Sequence, residues 1–104
     1  VTAPEVSPVF GGLLARQCIE VLAQLDSPAI LEIGAGSGKL AADILEALAA
    51  DDALPAGGYH ILEVSPELQQ RQKRLLGKRV PGIVESVTWL DAMPTEFTGV
   101  IVAP

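Results

Sequence analysis

Leu31-Glu32-Ile33-Gly34-Ala35-Gly36-Ser37-Gly38-Lys39-Leu40 is the stretch that decides how this chain folds. On its N-terminal side, the apolar run from Ala29 to Ile33 reads as a buried parallel strand. On its C-terminal side, Leu40, Ile44 and Leu48 recur every four residues, with Ala41, Leu45 and Ala49 alongside, which is helical spacing. Between them, glycines at 34, 36 and 38 let the backbone turn tightly and let a ligand approach where a Cβ would stand. Strand, glycine turn and helix form the first half of a nucleotide-binding βαβ unit.

Three kinds of glycine-rich turn fit this outline, and their chemistry separates them. A P-loop needs G-x-x-x-x-G-K-[ST]. Ile33 stands where its first glycine belongs, and Leu40 replaces the metal-binding hydroxyl. The dinucleotide fingerprint is G-x-G-x-x-G. Here the third glycine comes one residue early. The pattern [DE]-x-G-x-G-x-G is matched in full by Glu32 to Gly38. This resembles motif I of the class I S-adenosylmethionine (SAM) methyltransferases. Glu32 supports that choice: it would repel a dianionic pyrophosphate and favour the sulfonium and ammonium of SAM. At ~6 Å and an effective dielectric of about 20–80 the effect is about 1–3 kcal/mol per charge pair. The plainer alternative is an ordinary tight turn with Glu32 solvated.

Working outward, 104 residues make a single small domain able to bury one core. Hydrophobic residues make up 49% of the chain, which excludes a disordered tail. The net charge of −6 argues against a phosphate backbone as the main partner, so no nucleic acid is expected. One cysteine excludes an internal disulfide, and one cysteine with one histidine cannot build a zinc site, so no metal is expected. Cys18 falls inside an apolar helix and reads as a small core residue. No apolar run approaches the ~20 residues of a membrane span, and no signal peptide is visible. The default compartment is reducing and cytoplasmic.

The remaining elements follow in order. Ser7-Pro8 reads as a helix N-cap and first-turn proline, and Leu14, Cys18, Val21, Leu22 and Leu25 form a helical stripe ending at Leu25. After the motif helix, which runs to about Ala50, Tyr59 to Val64 is the second strand. Ser65-Pro66 repeats the cap signal and predicts a third helix from Pro66 to about Leu76. Leu68, Gln72, Leu75 and Leu76 mark its inner face, and Gly77 suits its C′ position. Arg71, Lys73, Arg74, Lys78 and Arg79 read as a solvated face with favourable charge at a helix C-terminus. Ser86 to Leu90 and Gly99 to Ala103 are the third and fourth strands.

Two strand ends add candidate site residues. Glu63 ends the second strand, 25 residues after Gly38. In doubly wound folds an acidic residue there binds the cofactor's ribose hydroxyls, because a carboxylate accepts from both at once. Without ligand its side chain is expected to be solvated. Past the third strand, Leu90-Asp91-Ala92-Met93-Pro94 stands where the methyltransferase pattern docks adenine, with Asp91 accepting from the exocyclic amine and a backbone N–H at Ala92 meeting a ring nitrogen. The cofactor-binding set is therefore Glu32, Gly34, Ala35, Gly36, Gly38, Glu63, Val64, Asp91 and Ala92. These lie at the C-terminal ends of successive strands, where open α/β sheets bind ligands.

Thr2-Ala3-Pro4-Glu5-Val6-Ser7-Pro8-Val9-Phe10-Gly11, together with Glu32 to Gly38, Tyr59 to Glu63 and Trp89-Leu90-Asp91, resembles the MidA family. These are SAM-dependent methyltransferases linked to assembly of respiratory complex I. The resemblance implies symmetric dimethylation of arginine on a protein substrate, a complex I subunit being one candidate. It also implies that the N-terminal segment lies near the active-site side, which makes Glu5 and Ser7 candidate substrate-side residues. An Asn-Glu-containing segment usually follows the fourth strand in such proteins, and here Val102-Ala103 is followed by Pro104. The expectation is a fragment: an α/β, Rossmann-like class I methyltransferase domain over residues 1–104, the leading half of a doubly wound parallel sheet with local order 3-2-1-4. It would hold the SAM crevice, with the later strands and the substrate-binding part elsewhere. No general base is assigned. The alternatives are a nicotinamide-dinucleotide-binding dehydrogenase fragment and a non-catalytic SAM-binding module.

Overall fold

The computed structural model describes residues 8–103. Along the chain run α1 (Pro8–Leu22), β1 (Ala29–Ile33), α2 (Lys39–Ala50), β2 (Tyr59–Leu62), α3 (Pro66–Arg79), β3 (Val87–Leu90) and β4 (Gly99–Val102), with a 3-10 turn at Val84–Ser86. The sheet order is β3-β2-β1-β4 and every pair is parallel, as the strand–helix alternation predicts. The order reverses at β1, which places the switch point beside the glycine turn.

The strand register sorts the side chains into two faces. Ile30 pairs with Tyr59 and Val100, and Tyr59 with Val87, so these four share one face. Ile61 and Val102 lie on the same side and join Leu14, Cys18, Leu45 and Leu76 from the three helices in one buried cluster. Leu31 and His60 point the other way. Residues 91–98 leave one edge of the sheet and reach the other, so they cross that second face. There Leu31, His60, Leu90 and Phe97 help line a largely apolar cleft of about 470 Å³. All three helices among the described residues lie on the first face. The second helical layer of a doubly wound sheet is not formed by residues 8–103, because the β3–β4 connection is too short to hold a helix.

α1 stops at Leu22, short of the expected Leu25. Gln24 and Leu25 donate to Val21 and Leu22 in tight turns, and Ser27 has φ 45°. Leu25 is therefore exposed; Val21, inside α1, is exposed because it lies off the buried stripe of Gly11, Leu14, Ala15, Cys18 and Leu22. Its small residues bring α1 against α2: a Cβ on Gly11 would stand 2.4 Å from Cβ of Asp43. The Cys18 thiol is pushed up in pKa by burial, which suits packing and not reactivity.

α3 runs three residues beyond the predicted Leu76, and Gly77 is an exposed residue inside it. The helix ends at Arg79: Val80, with φ −133° and ψ 59°, has left the helical region, which the following Pro81 disfavours. The extra turn is held by Arg79, whose guanidinium donates to Asp43 at 2.7 Å and to Glu46 on α2. Arg79 is thus a tie between helices, unlike the solvated face expected of it, while Arg71, Lys73, Arg74 and Lys78 are exposed. β2 ends at Leu62, although Glu63 N–H still donates to Leu90 O at 2.9 Å. The Val84–Ser86 turn takes up Ser86, so β3 begins at Val87. No helix among the described residues is long and apolar enough to cross a membrane.

Candidate functional site

The turn between β1 and α2 uses its glycines for backbone geometry. Gly34, Gly36 and Gly38 have φ of 67°, 57° and 92°, a region that side chains rarely occupy. Gly38 N–H closes the turn on Ala35 O at 2.9 Å, and Gly34 N–H donates to Leu62 O at 3.0 Å, anchoring the turn to β2. Gly38 meets a second demand: a Cβ there would lie 3.2 Å from Cα of Gln72 on α3. Ala35 is buried in the core, so only its backbone can serve a ligand. Gly34 is exposed and Gly36 half-buried, at the open side of the turn.

Glu63 follows β2 at the same edge of the sheet. It is buried, at 7% exposure, which corrects the expectation of a solvated carboxylate. Two donors replace water. Ser65 N–H donates to its Oε2 at 3.1 Å, and Gln72 Nε2 donates to its Oε1 at 3.0 Å. Ser65 also caps α3, its Oγ accepting from Leu68 N–H at 3.3 Å, with Pro66 next as the sequence predicts. An ionised carboxylate has about four acceptor sites. One on each oxygen is therefore left for a ligand.

Gln72 joins the parts. Its Nε2 also donates to Gly36 O at 2.9 Å, and its Oε1 accepts from Trp89 Nε1–H at 2.9 Å. It is fully buried. Its position on the inner face of α3 was legible; its role was not. The available signal was an amide standing among leucines, because a buried polar group must find partners. Trp89 in turn carries the Lys73 ammonium 5.3 Å from its ring centroid.

Glu32 differs. It lies on the helix-covered face, is fully buried, and accepts from Tyr59 O–H at 2.7 Å. Burial first, and the Glu32 charge second, push the Tyr59 phenol well above the usual tyrosine range. Glu32 therefore stands behind the turn, on the helix-covered face. Asp91, Ala92 and Val64 are exposed at the ends of β3 and β2. Glu5 and Ser7, including the predicted Ser7 cap, lie outside the described residues.

Because Ile33, Leu62 and Leu90 are in register, the glycine turn, Glu63 and Asp91 start from one edge of the sheet. They bring backbone groups and carboxylates to that one end of the sheet, whereas the apolar cleft is lined by Leu31, His60 and Phe97 on the second face. Such a rim suits a ligand rich in hydroxyl and amine donors and carrying positive charge.

Residues 13–104 match the family described as "Putative S-adenosyl-L-methionine-dependent methyltransferase". The chain is 36% identical over 87 residues to the mitochondrial protein arginine methyltransferase NDUFAF7 of Xenopus laevis, an alignment covering 77% of this chain and 20% of that protein. It is 40% identical over 82 residues to NDUFAF7 of Danio rerio, covering 73% and 19%. A COG1565 superfamily member from Burkholderia thailandensis, crystallised with S-adenosyl-homocysteine, superposes with a TM-score of 0.88 at 46% identity, covering 99% of this chain and 26% of that one. The glycopeptide N-methyltransferase MtfA, complexed with sinefungin, shares the fold at TM-score 0.56 and 19% identity, covering 89% of this chain and 36% of that one. The chain spans about a fifth of the length of the curated relatives it matches.

Proposed function

The chain belongs to this family of S-adenosyl-L-methionine-dependent methyltransferases, and from that premise we propose that residues 1–104 are the cofactor-binding, leading part of an enzyme that methylates arginine in a protein. The single observation that carries the cofactor reading is Glu63, buried, fixed by two donors, and retaining one free acceptor site on each oxygen beside the glycine turn. That geometry fits a pair of ribose hydroxyls. The backbone of residues 34–38 would lie along the amino-acid part of the cofactor, Val64 against the base, and Asp91 and Ala92 at the base edge. Glu32 contributes negative charge from behind the turn.

When bound, SAM supplies a methyl on a sulfonium, already an activated leaving group. What this chain's residues add is position: the glycine turn and Glu63 hold the cofactor so that an acceptor can meet it in line. The arginine-methylating activity rests on the names of the NDUFAF7 relatives, which are mitochondrial proteins; the location proposed with it is the mitochondrial matrix for a eukaryotic source and the cytoplasm otherwise. A complex I subunit is the first substrate to test.

Calorimetric titration of the intact protein with SAM and NAD side by side tests the cofactor. Saturable binding of SAM alone is expected, and binding of NAD alone would restore the dehydrogenase reading. Incubation with labelled SAM and complex I subunits, followed by mass spectrometry, tests the acceptor. Label found only on nucleic acid or small molecules would reject arginine and leave SAM binding standing. SAM binding without transfer to any acceptor would favour the non-catalytic module.

A further inference from the structure

We propose that Gln72 is a positioning residue for the cofactor, one side chain that sets the glycine turn and the ribose carboxylate in fixed relation to each other. The inference rests on the SAM-binding reading above. It starts from the hydrogen-bonding capacity of a primary amide. Indole N–H can only donate, so the Gln72 atom 2.9 Å from Trp89 Nε1 must be the oxygen. The NH2 group then faces Gly36 O at 2.9 Å and Glu63 Oε1 at 3.0 Å. Both can only accept, so each takes one of the two N–H bonds. The amide orientation is fixed by its neighbours, and no donor of Gln72 is left over.

These bonds join parts that are far apart in the chain. Gly36 is 36 residues from Gln72 in sequence, and Trp89 is 17. The side chain has no solvent exposure to offer an alternative partner. Gly38 shows that the approach is close, since a Cβ there would crowd Cα of Gln72 at 3.2 Å. α3 is thus pressed onto the turn at the residue whose amide reaches both Gly36 and Glu63. A carboxylate held only by Ser65 N–H could swing about that single bond. With Gln72 it is held at both oxygens. Preorganisation of this kind raises affinity by removing the cost of ordering the site on binding.

Three variants of the intact protein test the assignment, with S-adenosyl-homocysteine as the calorimetric titrant. Gln72→Met keeps length and packing and removes all three bonds; it should bind roughly tenfold or more weakly per folded molecule. Trp89→Phe keeps a ring and removes only the group that orients the amide; it should lose less than Gln72→Met. Gln72→Glu keeps the shape and puts a second carboxyl against Glu63. Where the pair shares a single proton, the introduced carboxyl can donate it to Glu63 and rescue binding. As pH rises and both ionise, they repel and affinity falls. Between about pH 5 and pH 8 this variant should therefore lose affinity while wild type does not follow it. A residue that merely filled space would lower the melting temperature of the apo protein without this pH dependence. Wild type binding normally, with Gln72→Met and Gln72→Glu within twofold of it at every pH, would overturn the positioning role. Should Gln72→Met not fold, Trp89→Phe and the pH profile of Gln72→Glu decide. Failure of wild type itself to bind would instead overturn the SAM reading on which the proposal stands.

Discussion

Glu32 and Glu63 stand at the ends of neighbouring parallel strands, and both read in the sequence as cofactor carboxylates. The structure gives them different surroundings. Glu32 turns into the helix-covered face, loses all contact with solvent and accepts from a buried phenol. Glu63 lies past its strand, where the chain bends into α3, and is held by a backbone N–H and an amide. One carboxylate is joined to the core of the fold; the other is fixed with acceptor sites to spare. Strand register makes the difference: Glu32 pairs with Ile61 within the ladder, so its face is dictated by the pleat, whereas Glu63 has left it.

The largest effect expected from breaking this contrast is on stability. Glu32→Ala leaves a cavity and an unpaired Tyr59 hydroxyl in the core, and should destabilise the folded protein by about 2–4 kcal/mol in urea unfolding. Cofactor affinity of the molecules that remain folded should fall less than for Glu63→Ala. Unchanged stability with lost affinity would reverse the two roles. The same pair should appear at high pH. A phenol whose folded pKa is raised adds stability below its unfolded value of about 10, and loses it as pH climbs toward the folded value. Tyr59→Phe should remove that alkaline decline in melting temperature.

Glu63→Ala should act mainly on binding. Loss of the ribose acceptor should weaken SAM at least about tenfold, or 1.4 kcal/mol. It should also reduce discrimination against a 2′-deoxy analogue. Because Glu63 is buried and bonded, the apo protein should lose about 1–2 kcal/mol as well, since Ser65 N–H and Gln72 lose their acceptor. Glu63→Gln helps little: its amide NH2 must face one of two donors. Wild-type affinity in Glu63→Ala would remove the ribose role.

Strand order, the glycine turn and the Ser65-Pro66 helix start were legible because each rests on local chemistry: alternation of elements, positive φ, a cap. The helix ends were not. Gly77 looks like a C′ residue, but the Arg79 pairing with Asp43 and Glu46, more than 30 residues away, carries the helix past it. On α1 the expected stripe fails at Leu25, where turn geometry after Leu22 intervenes, and at Val21, which lies inside the helix but off its buried face. At the site, residue types and strand ends were readable, yet burial was not. Whether a strand-end glutamate faces core or crevice depends on where its strand stops, and Gln72 acquires its role only when α3 meets the turn.

The smallest effect belongs to the third strand end. Asp91 is exposed, unlike Glu32 and Glu63, so neither folding nor the apo site depends on enclosing it. Asp91→Ala should change apo stability by no more than about 0.5 kcal/mol. A hydrogen bond from an adenine amine to an exposed carboxylate competes with water, so its loss should cost about 0.5–1.5 kcal/mol, roughly two- to tenfold in affinity. Selectivity is the sharper measurement. An analogue with the exocyclic amine replaced by a carbonyl offers Asp91 an acceptor, and wild type should reject it relative to SAM. Asp91→Ala should narrow that gap, and Asp91→Asn, whose amide can rotate to meet either group, should nearly close it. Full discrimination by Asp91→Ala would assign the residue to its turn and leave Glu63 as the one strand-end carboxylate in contact with the cofactor.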